Sequence, residues 1–319
     1  VLPAIRTFRN TDVAALCKVW NAHFGDLGFD CRLNPLQLEL ICLAKPYFIA
    51  QDLLIAEYDQ QIVGFLHLGP VGRSDLHDVQ SDVMAIAAFC IVPCDSEGQV
   101  AQALLKHAEQ AMRERSMSKC RFKPMLPECP FYQGLGPADS MVGATTSERR
   151  SCAWVTEAGF VPVLPTTQWE LDLTNFQPPI DRQQLQIRRS SLVERETDEP
   201  PLPWWQACLL GHAEPVLFRL LQRSPPLPLC EALYWTVATE LQTSASSATW
   251  LWTPALPGDE TEVAQLTFLL GETCRQLQSE RLELVRTATS ASHTQVNTML
   301  RRLGFVAEQS GMVFEKPLA

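Results

Sequence analysis

The feature that most constrains this chain is the stretch from Ala87 to Met112, an apolar run that stops at a proline, turns, and becomes an amphipathic helix. Ala88-Phe89-Cys90-Ile91-Val92 has the length of a buried strand, and Pro93 ends it because proline cannot donate to a sheet ladder. Cys94 to Gly98 supplies turn and cap residues, after which Val100, Ala103, Leu104, Ala108 and Ala111 recur at helical spacing. The helix is expected to begin between Ser96 and Gln99. A strand that feeds a helix N-terminus directs unpaired backbone N–H groups at one point, where the helix dipole also favours negative charge. Phosphate is the usual occupant of such a point.

The same order of signals occurs twice. Glu97-Gly98-Gln99-Val100-Ala101-Gln102 parallels Glu260-Thr261-Glu262-Val263-Ala264-Gln265, and Glu157-Ala158-Gly159-Phe160-Val161 parallels Arg302-Leu303-Gly304-Phe305-Val306. At both Gly-Phe sites a helix stopped by a C′ glycine passes the chain to an aromatic that starts a strand. The 319 residues exceed one typical domain, and 46% hydrophobic composition is ample for buried cores. The repeat predicts two related halves, residues 1–174 and 185–319. A linker is expected at 175–184, where two adjacent prolines interrupt a stretch of little apolar content.

In the first half, Ala4 to Arg9 alternates as a strand, Asn10-Thr11-Asp12 caps a helix over Val13 to His23, and a second helical segment lies between Pro35 and Leu43. Leu53 to Tyr58 and Ile62 to Leu68 read as strands around a tight turn, with a polar loop following from Gly72 to Asp82. A strand at Lys119 to Lys123, a helix over Ser147 to Ala158 and a strand at Trp169 to Leu173 complete this half. The second half restarts with a strand at Leu185 to Arg189, echoing Ile5-Arg6, and a helix at Trp204 to Leu210. Strands over Val216 to Gln222 and Cys230 to Thr239 flank a proline-rich turn, Ser224 to Pro228. A strand at Trp250 to Thr253, a helix over Val263 to Leu277, a strand at Leu282 to Arg286, a helix over Thr294 to Leu303 and a strand at Met312 to Glu315 follow.

Ile91-Val92-Pro93, followed by Ser96-Glu97-Gly98-Gln99-Val100-Ala101, resembles the acetyl-CoA loop of the GNAT acetyltransferase superfamily. There a strand and Val-x-Pro lead into Arg/Gln-x-x-Gly-x-Gly/Ala and a helix. Ala101 fits strictly. Ser96 stands where a basic or amide residue is usual, Gln99 where glycine is usual, and Glu97 sets a like charge beside the expected pyrophosphate. Pro130-Phe131-Tyr132-Gln133-Gly134-Leu135 is similar to a segment of tandem GNAT proteins of bacteria; from the residues alone it is a loop anchored by two aromatics. The resemblance covers nearly the whole chain. It implies an α/β fold, α+β in its mixed sheet, of two tandem GNAT-like (acyl-CoA N-acyltransferase) domains, the second degenerate.

The resemblance further implies acetyl-CoA as cosubstrate, with pantetheine pairing along Cys90, Ile91 and Val92. Pyrophosphate would be held by the loop from Ser96 through Gly98, Gln99, Val100 and Ala101. The tyrosine that often protonates the leaving thiolate corresponds to Val155 and Leu300, neither of which donates a proton, and the asparagine seven residues earlier to Glu148 and His293. Tyr132 is then the candidate acid, and Glu128 or Asp82 the candidate base. Asp259, Glu260 and Glu262 crowd the second loop with negative charge, so that half is not expected to bind CoA in the usual manner. His67 and the tryptophans Trp204, Trp205, Trp250 and Trp252 read as structural.

A net charge of -10 argues against a nucleic-acid partner and against an anionic membrane surface, and is compatible with a small-molecule or peptide amine as acceptor. Eleven cysteines, scattered without the paired spacings of a zinc site, predict no metal and a reduced, cytoplasmic setting, as does an opening without a basic-then-apolar leader. Cys90, Cys208 and Cys274 lie in apolar surroundings and read as small core residues. No apolar run approaches membrane-spanning length. Two functions fit: an N-acetyltransferase with its cofactor in the first half, or a non-catalytic tandem protein that binds a CoA thioester, another small ligand or a protein partner. The sequence leaves the acceptor and the oligomeric state open.

Overall fold

The computed structural model describes residues 3–29, 32–73, 77–125, 128–129, 131–133, 135, 142–196, 202–237 and 248–318. The first half runs β1 (Ala4–Thr7), α1 (Val13–Asp26), α2 (Pro35–Leu38, continued by a π-type turn over Glu39–Leu43), β2 (Leu53–Tyr58), β3 (Gln61–Gly72), β4 (Val79–Ile91), α3 (Glu97–Glu114), β5 (Lys119–Phe122), β6 (Ala144–Thr145), α4 (Arg149–Glu157) and β7 (Val161–Asp172). The second runs α5 (Arg182–Ser190), β8 (Ser191–Glu196), α6 (Trp204–Leu210), β9 (Ala213–Arg223), β10 (Pro226–Val237), β11 (Thr249–Trp252), α7 (Glu260–Ser279), β12 (Leu284–Ser290), α8 (Thr294–Arg302) and β13 (Val306–Pro317).

Local signals account for most of these elements. The turn between β2 and β3 places Asp59 and Gln60 at φ 45° and 63°, the left-handed pair that a two-residue hairpin requires. Helices α4 and α8 both end on a glycine in the left-handed region, Gly159 at φ 91° and Gly304 at φ 92°. In each, the following phenylalanine N–H reaches back to the helix, Phe160 to the Val155 carbonyl and Phe305 to that of Leu300, which closes a Schellman motif. In α3 the buried side chains Val100, Ala101, Leu104, Leu105, Ala108 and Met112 form one stripe, which lies on the sheet.

Four expectations need correction. Residues 185–189 are not a strand: Asp181 caps Arg182–Ser190 as a helix by accepting from the Gln184 N–H at 2.8 Å, and the strand starts only at Ser191. The expected linker therefore gives its last residues, 182–184, to α5. The polar loop after β3 is shorter than 72–82, because Gly72 already pairs with Val79 and Asp82 belongs to β4. The proline-rich turn likewise contracts, since Arg223 pairs with Pro226 across β9 and β10, with a bulge between Pro228 and Cys230. Thr239 lies outside the described residues.

Among the described residues the strands form one 13-stranded sheet in the order β1-β2-β3-β4-β5-β13-β7-β12-β11-β10-β9-β8, with β6 added on β13. The last strand of the chain thus lies between two strands of the first half, and β7 pairs over Thr166 to Asp172 with β12 of the second. The cores follow the exchange. Phe314 and Leu318 pack beneath α3 with Leu104 and Phe122, whereas Trp169 and Leu171 pack beneath α7 with Leu269 and Phe218. On the opposite face a shared core joins Trp20, Phe24 and Phe65 to Trp205, Leu233, Trp235 and Trp250. Contact there is close enough to demand a glycine: a Cβ on Gly72 would stand 2.1 Å from the Trp205 indole nitrogen. Residues 1–174 and 185–319 are interleaved in one sheet.

Candidate functional site

The site grows from β4. Val83 through Ile86 pair in parallel with Lys119 through Phe122, and there β5 stops, with Lys123 turning away at φ 52°. Beyond that point β4 keeps β3 on one side, Gly64 opposite Ile91 and His67 opposite Ala88, but has no β5 partner on the other. Ala87 to Ile91 therefore have no strand beside them on that side, at a notch. Such an edge is a template on which an extended ligand can add backbone-like hydrogen bonds. The same strand delivers the chain to α3, as the sequence predicted.

At the head of α3 the loop is partly prepared for an anion. A Cβ placed on Gly98 meets nothing within 4 Å, so a ligand can approach the backbone there. The Glu97 N–H bonds the Cys94 carbonyl and the Gln99 N–H the Ser96 carbonyl, while the Ser96 side chain makes no cap bond. Ser96 is half-buried and Gln99 exposed; the side chains of Cys90, Ile91, Val100 and Ala101 are fully buried, which leaves those residues only backbone groups to offer. Arg150 reaches this point from α4, bonding Glu97 at 2.9 Å and Asp26 at 2.5 Å. The charge of Glu97, unfavourable in the sequence pattern, is thereby paired.

Three buried polar side chains stand at the notch, and the sequence reading did not choose them. His23 of α1 places Nδ1 3.1 Å from the Ile91 carbonyl oxygen and 3.4 Å from the Ile91 nitrogen, so a ring holds the edge position where the chain enters the loop. Its Nε2 is buried without a hydrogen-bond partner among the described residues, and burial pushes the imidazole down to about 4, so it is neutral at physiological pH. Lys123 and Glu148 form an ion pair at 3.0 Å, both almost wholly buried, and Glu148 also accepts from the Thr145 N–H. Glu148 was legible as the residue in place of the usual asparagine. His23 and Lys123 carried no local signal, since only the packing of α1 and the end of β5 brings them to β4.

The three proposed acid–base residues are not brought together. Tyr132 is fully buried; its hydroxyl lies 2.9 Å from His67 Nδ1, and its ring stacks on Trp20 at 5.3 Å. Burial holds its hydroxyl well above the ordinary tyrosine range and pushes His67 down to about 3. The pair is a neutral hydrogen bond inside a core with Cys42 and Phe131, the loop anchored by two aromatics that the residues alone indicated; Pro130 and Gly134 lie outside the described residues. Glu128 is bound to Arg121 at 2.5 Å, and Arg121 also holds Glu315 of β13. Asp82 accepts from the Ser118 hydroxyl at 2.6 Å, at the end of β4 remote from the loop. At ~3.3 Å per residue it lies about 30 Å along the strand from Ile91.

In the second half the equivalent loop is closed by its own carboxylates. Asp259 accepts from the Glu262 N–H at 2.8 Å, and Glu262 accepts from the Gly258 N–H at 2.7 Å. Val155 and Leu300, in place of the tyrosines, are core residues. Among the described residues no cluster of His, Cys, Asp and Glu is arranged to hold a metal, and no helix is long and apolar enough to cross a membrane.

Neither a protein-family model nor a curated protein matches the sequence. Solved structures do match in shape. A tandem GNAT protein from the clavulanic acid biosynthesis pathway aligns over 99% of both chains at 12% identity, with a TM-score of 0.66. A glucosamine N-acetyltransferase region of a fungal multi-domain beta-N-acetylglucosaminidase aligns over 98% of this chain and 38% of its own at 12% identity, TM-score 0.71. A GCN5-related N-acetyltransferase from Sphaerobacter thermophilus aligns over 99% of this chain and 96% of its own at 11% identity, TM-score 0.62. The chain therefore has the fold of the tandem GNAT acyltransferases.

Proposed function

We propose that the chain is an acetyl-CoA-dependent N-acetyltransferase whose first half takes the cofactor and whose acceptor is a small-molecule or peptide amine, working among reduced thiols in the cytoplasm. The observation that carries the reading is that β4 runs on past the end of β5, Ala87 to Ile91 having no β5 partner, straight into the open backbone at Gly98. Pantetheine would pair along that edge, pyrophosphate would take the α3 N-terminus, and Arg150 would exchange a carboxylate for a phosphate oxygen. In the transfer, the amine nitrogen bonds the thioester carbonyl carbon, the carbon–sulfur bond breaks, the thiolate leaves, and the amine gives up a proton. Alignment of reactants along a fixed edge is the contribution this geometry supports.

His23 favours a second reading. Its ring already holds the backbone of Ile91, and a cofactor must displace it; if it stays, the chain is a non-catalytic member of the fold. Isothermal titration with acetyl-CoA separates the two. Catalysis requires one site in the wild type, lost in Gly98→Asp and retained or tightened in His23→Ala. Binding that occurs only in His23→Ala would establish the plugged form, and no heat in either protein would remove acetyl-CoA from the account.

A further inference from the structure

A second cleft, away from the β4 edge, lies where the two halves meet. It has a volume of about 360 Å³, and its walls include Leu40 and Pro46 from the first half and Trp204 and Ala207 from the second. That volume is within the range of small-ligand sites. The rim is apolar and open, with Leu40 42% and Trp204 55% exposed.

Two polar side chains line it. Lys45 is 7% exposed, and its ammonium donates to the carbonyls of Cys208 and Leu209 at 3.0 and 2.6 Å, at the C-terminal end of α6. An ammonium has three N–H donors, so among the described residues one is unspent. Among the described residues no carboxylate pairs with Lys45, and its burial pushes it down to about 8. A buried cation without a counter-ion is a costly arrangement that an anion would relieve. The other, His212, is committed elsewhere: its Nε2 donates to the Gln133 carbonyl at 3.0 Å, and its Nδ1 is shut off from the cleft by burial.

We propose that this cleft binds a small carboxylic acid with an apolar body. The carboxylate takes the Lys45 donor that no described residue occupies, and the body lies against Leu40, Pro46 and Trp204. The site does not depend on the reading of the β4 notch, because its ligand carries no phosphate and touches neither β4 nor α3.

Phenylacetate, which has a phenyl ring and a carboxylate, is a suitable probe for isothermal titration of the full chain. One site is expected, and none for the cation benzylamine. Lys45→Met should weaken phenylacetate at least tenfold. Because Lys45 also ties α6 to the first half, Ala207→Phe, at an exposed helix position, serves as a variant that fills the cleft without touching the ammonium; it should abolish binding. Gly98→Asp should leave binding intact. No heat with millimolar phenylacetate, equal binding in Ala207→Phe, or benzylamine binding as tightly would overturn the proposal.

Discussion

At the residue scale, burial decides which polar groups are available for chemistry. Tyr132 is the clearest case: its sequence context marked it as a candidate acid, and its hydroxyl is bonded to His67 in a buried aromatic core. Tyr132→Phe removes that bond and leaves His67 Nδ1 only the Cys42 thiol at 3.6 Å, at a cost of about 1 kcal/mol in stability. Urea denaturation should show the loss, while acetyl transfer by the folded variant should be unchanged; a rate drop of ~100-fold or more would restore the acid role. The buried histidines set the acid limit of the fold. His23 is pushed down to about 4, and His67 and His212 to about 3, so between these values and 6.5 the unfolded chain binds more protons than the folded one. Their stabilisation is complete above pH 6.5 and is lost as pH falls through that window, at about 1.4 kcal/mol per pH unit for each. The urea midpoint should fall steeply from pH 6.5 to 4.5, and a His67→Phe chain should show a shallower fall.

At the element scale, the two strand–loop–helix units show how one pattern is kept or emptied by a few side chains. In the first, Gly98 leaves room at the helix start, and Arg150 offsets Glu97; in the second, Asp259 and Glu262 bind the loop N–H groups themselves. Asp259 is a cap, and Asp259→Ala should cost about 1 kcal/mol without creating a cofactor site, since Glu260 and Glu262 remain. Thermal unfolding and acetyl-CoA titration of this variant check both statements; a second bound acetyl-CoA would show that Asp259 alone had closed the loop. Helix α5 illustrates the opposite lesson. Leu185 and Ile187 alternate with polar residues as in a strand, yet Asp181 caps the segment and α7 receives it, Gln184 bonding the Ala264 carbonyl and Arg188 pairing with Glu272. Two-residue alternation over so short a run does not outweigh a cap and a packing surface.

At the scale of the whole molecule, the exchange of β7 and β13 makes folding cooperative across the repeat. Without β13, β5 and β7 each lose a neighbour, and the core under α3 loses Phe314 and Leu318. Residues 1–174 expressed alone should not give a stable monomer, and the full chain should unfold in a single transition. Gel filtration and near-ultraviolet circular dichroism of the fragment test this; a monomer with native-like tryptophan signals would show that β13 is dispensable.

The sequence by itself determined the local elements and their repetition. Apolar periodicity, Pro93, the tight turn after Tyr58 and the C′ glycines Gly159 and Gly304 act through neighbours in the chain, so they could be read in order. Only the tertiary structure decided that the halves share one sheet, because β5 and β7 accept a strand from anywhere that supplies the right face and hydrogen-bonding edge. The candidate site divides the same way. Its backbone part, β4 into α3, is a local feature; His23, Lys123 and Glu148 meet at the notch through packing of α1, β5 and α4, and distance in space leaves no mark in the linear pattern.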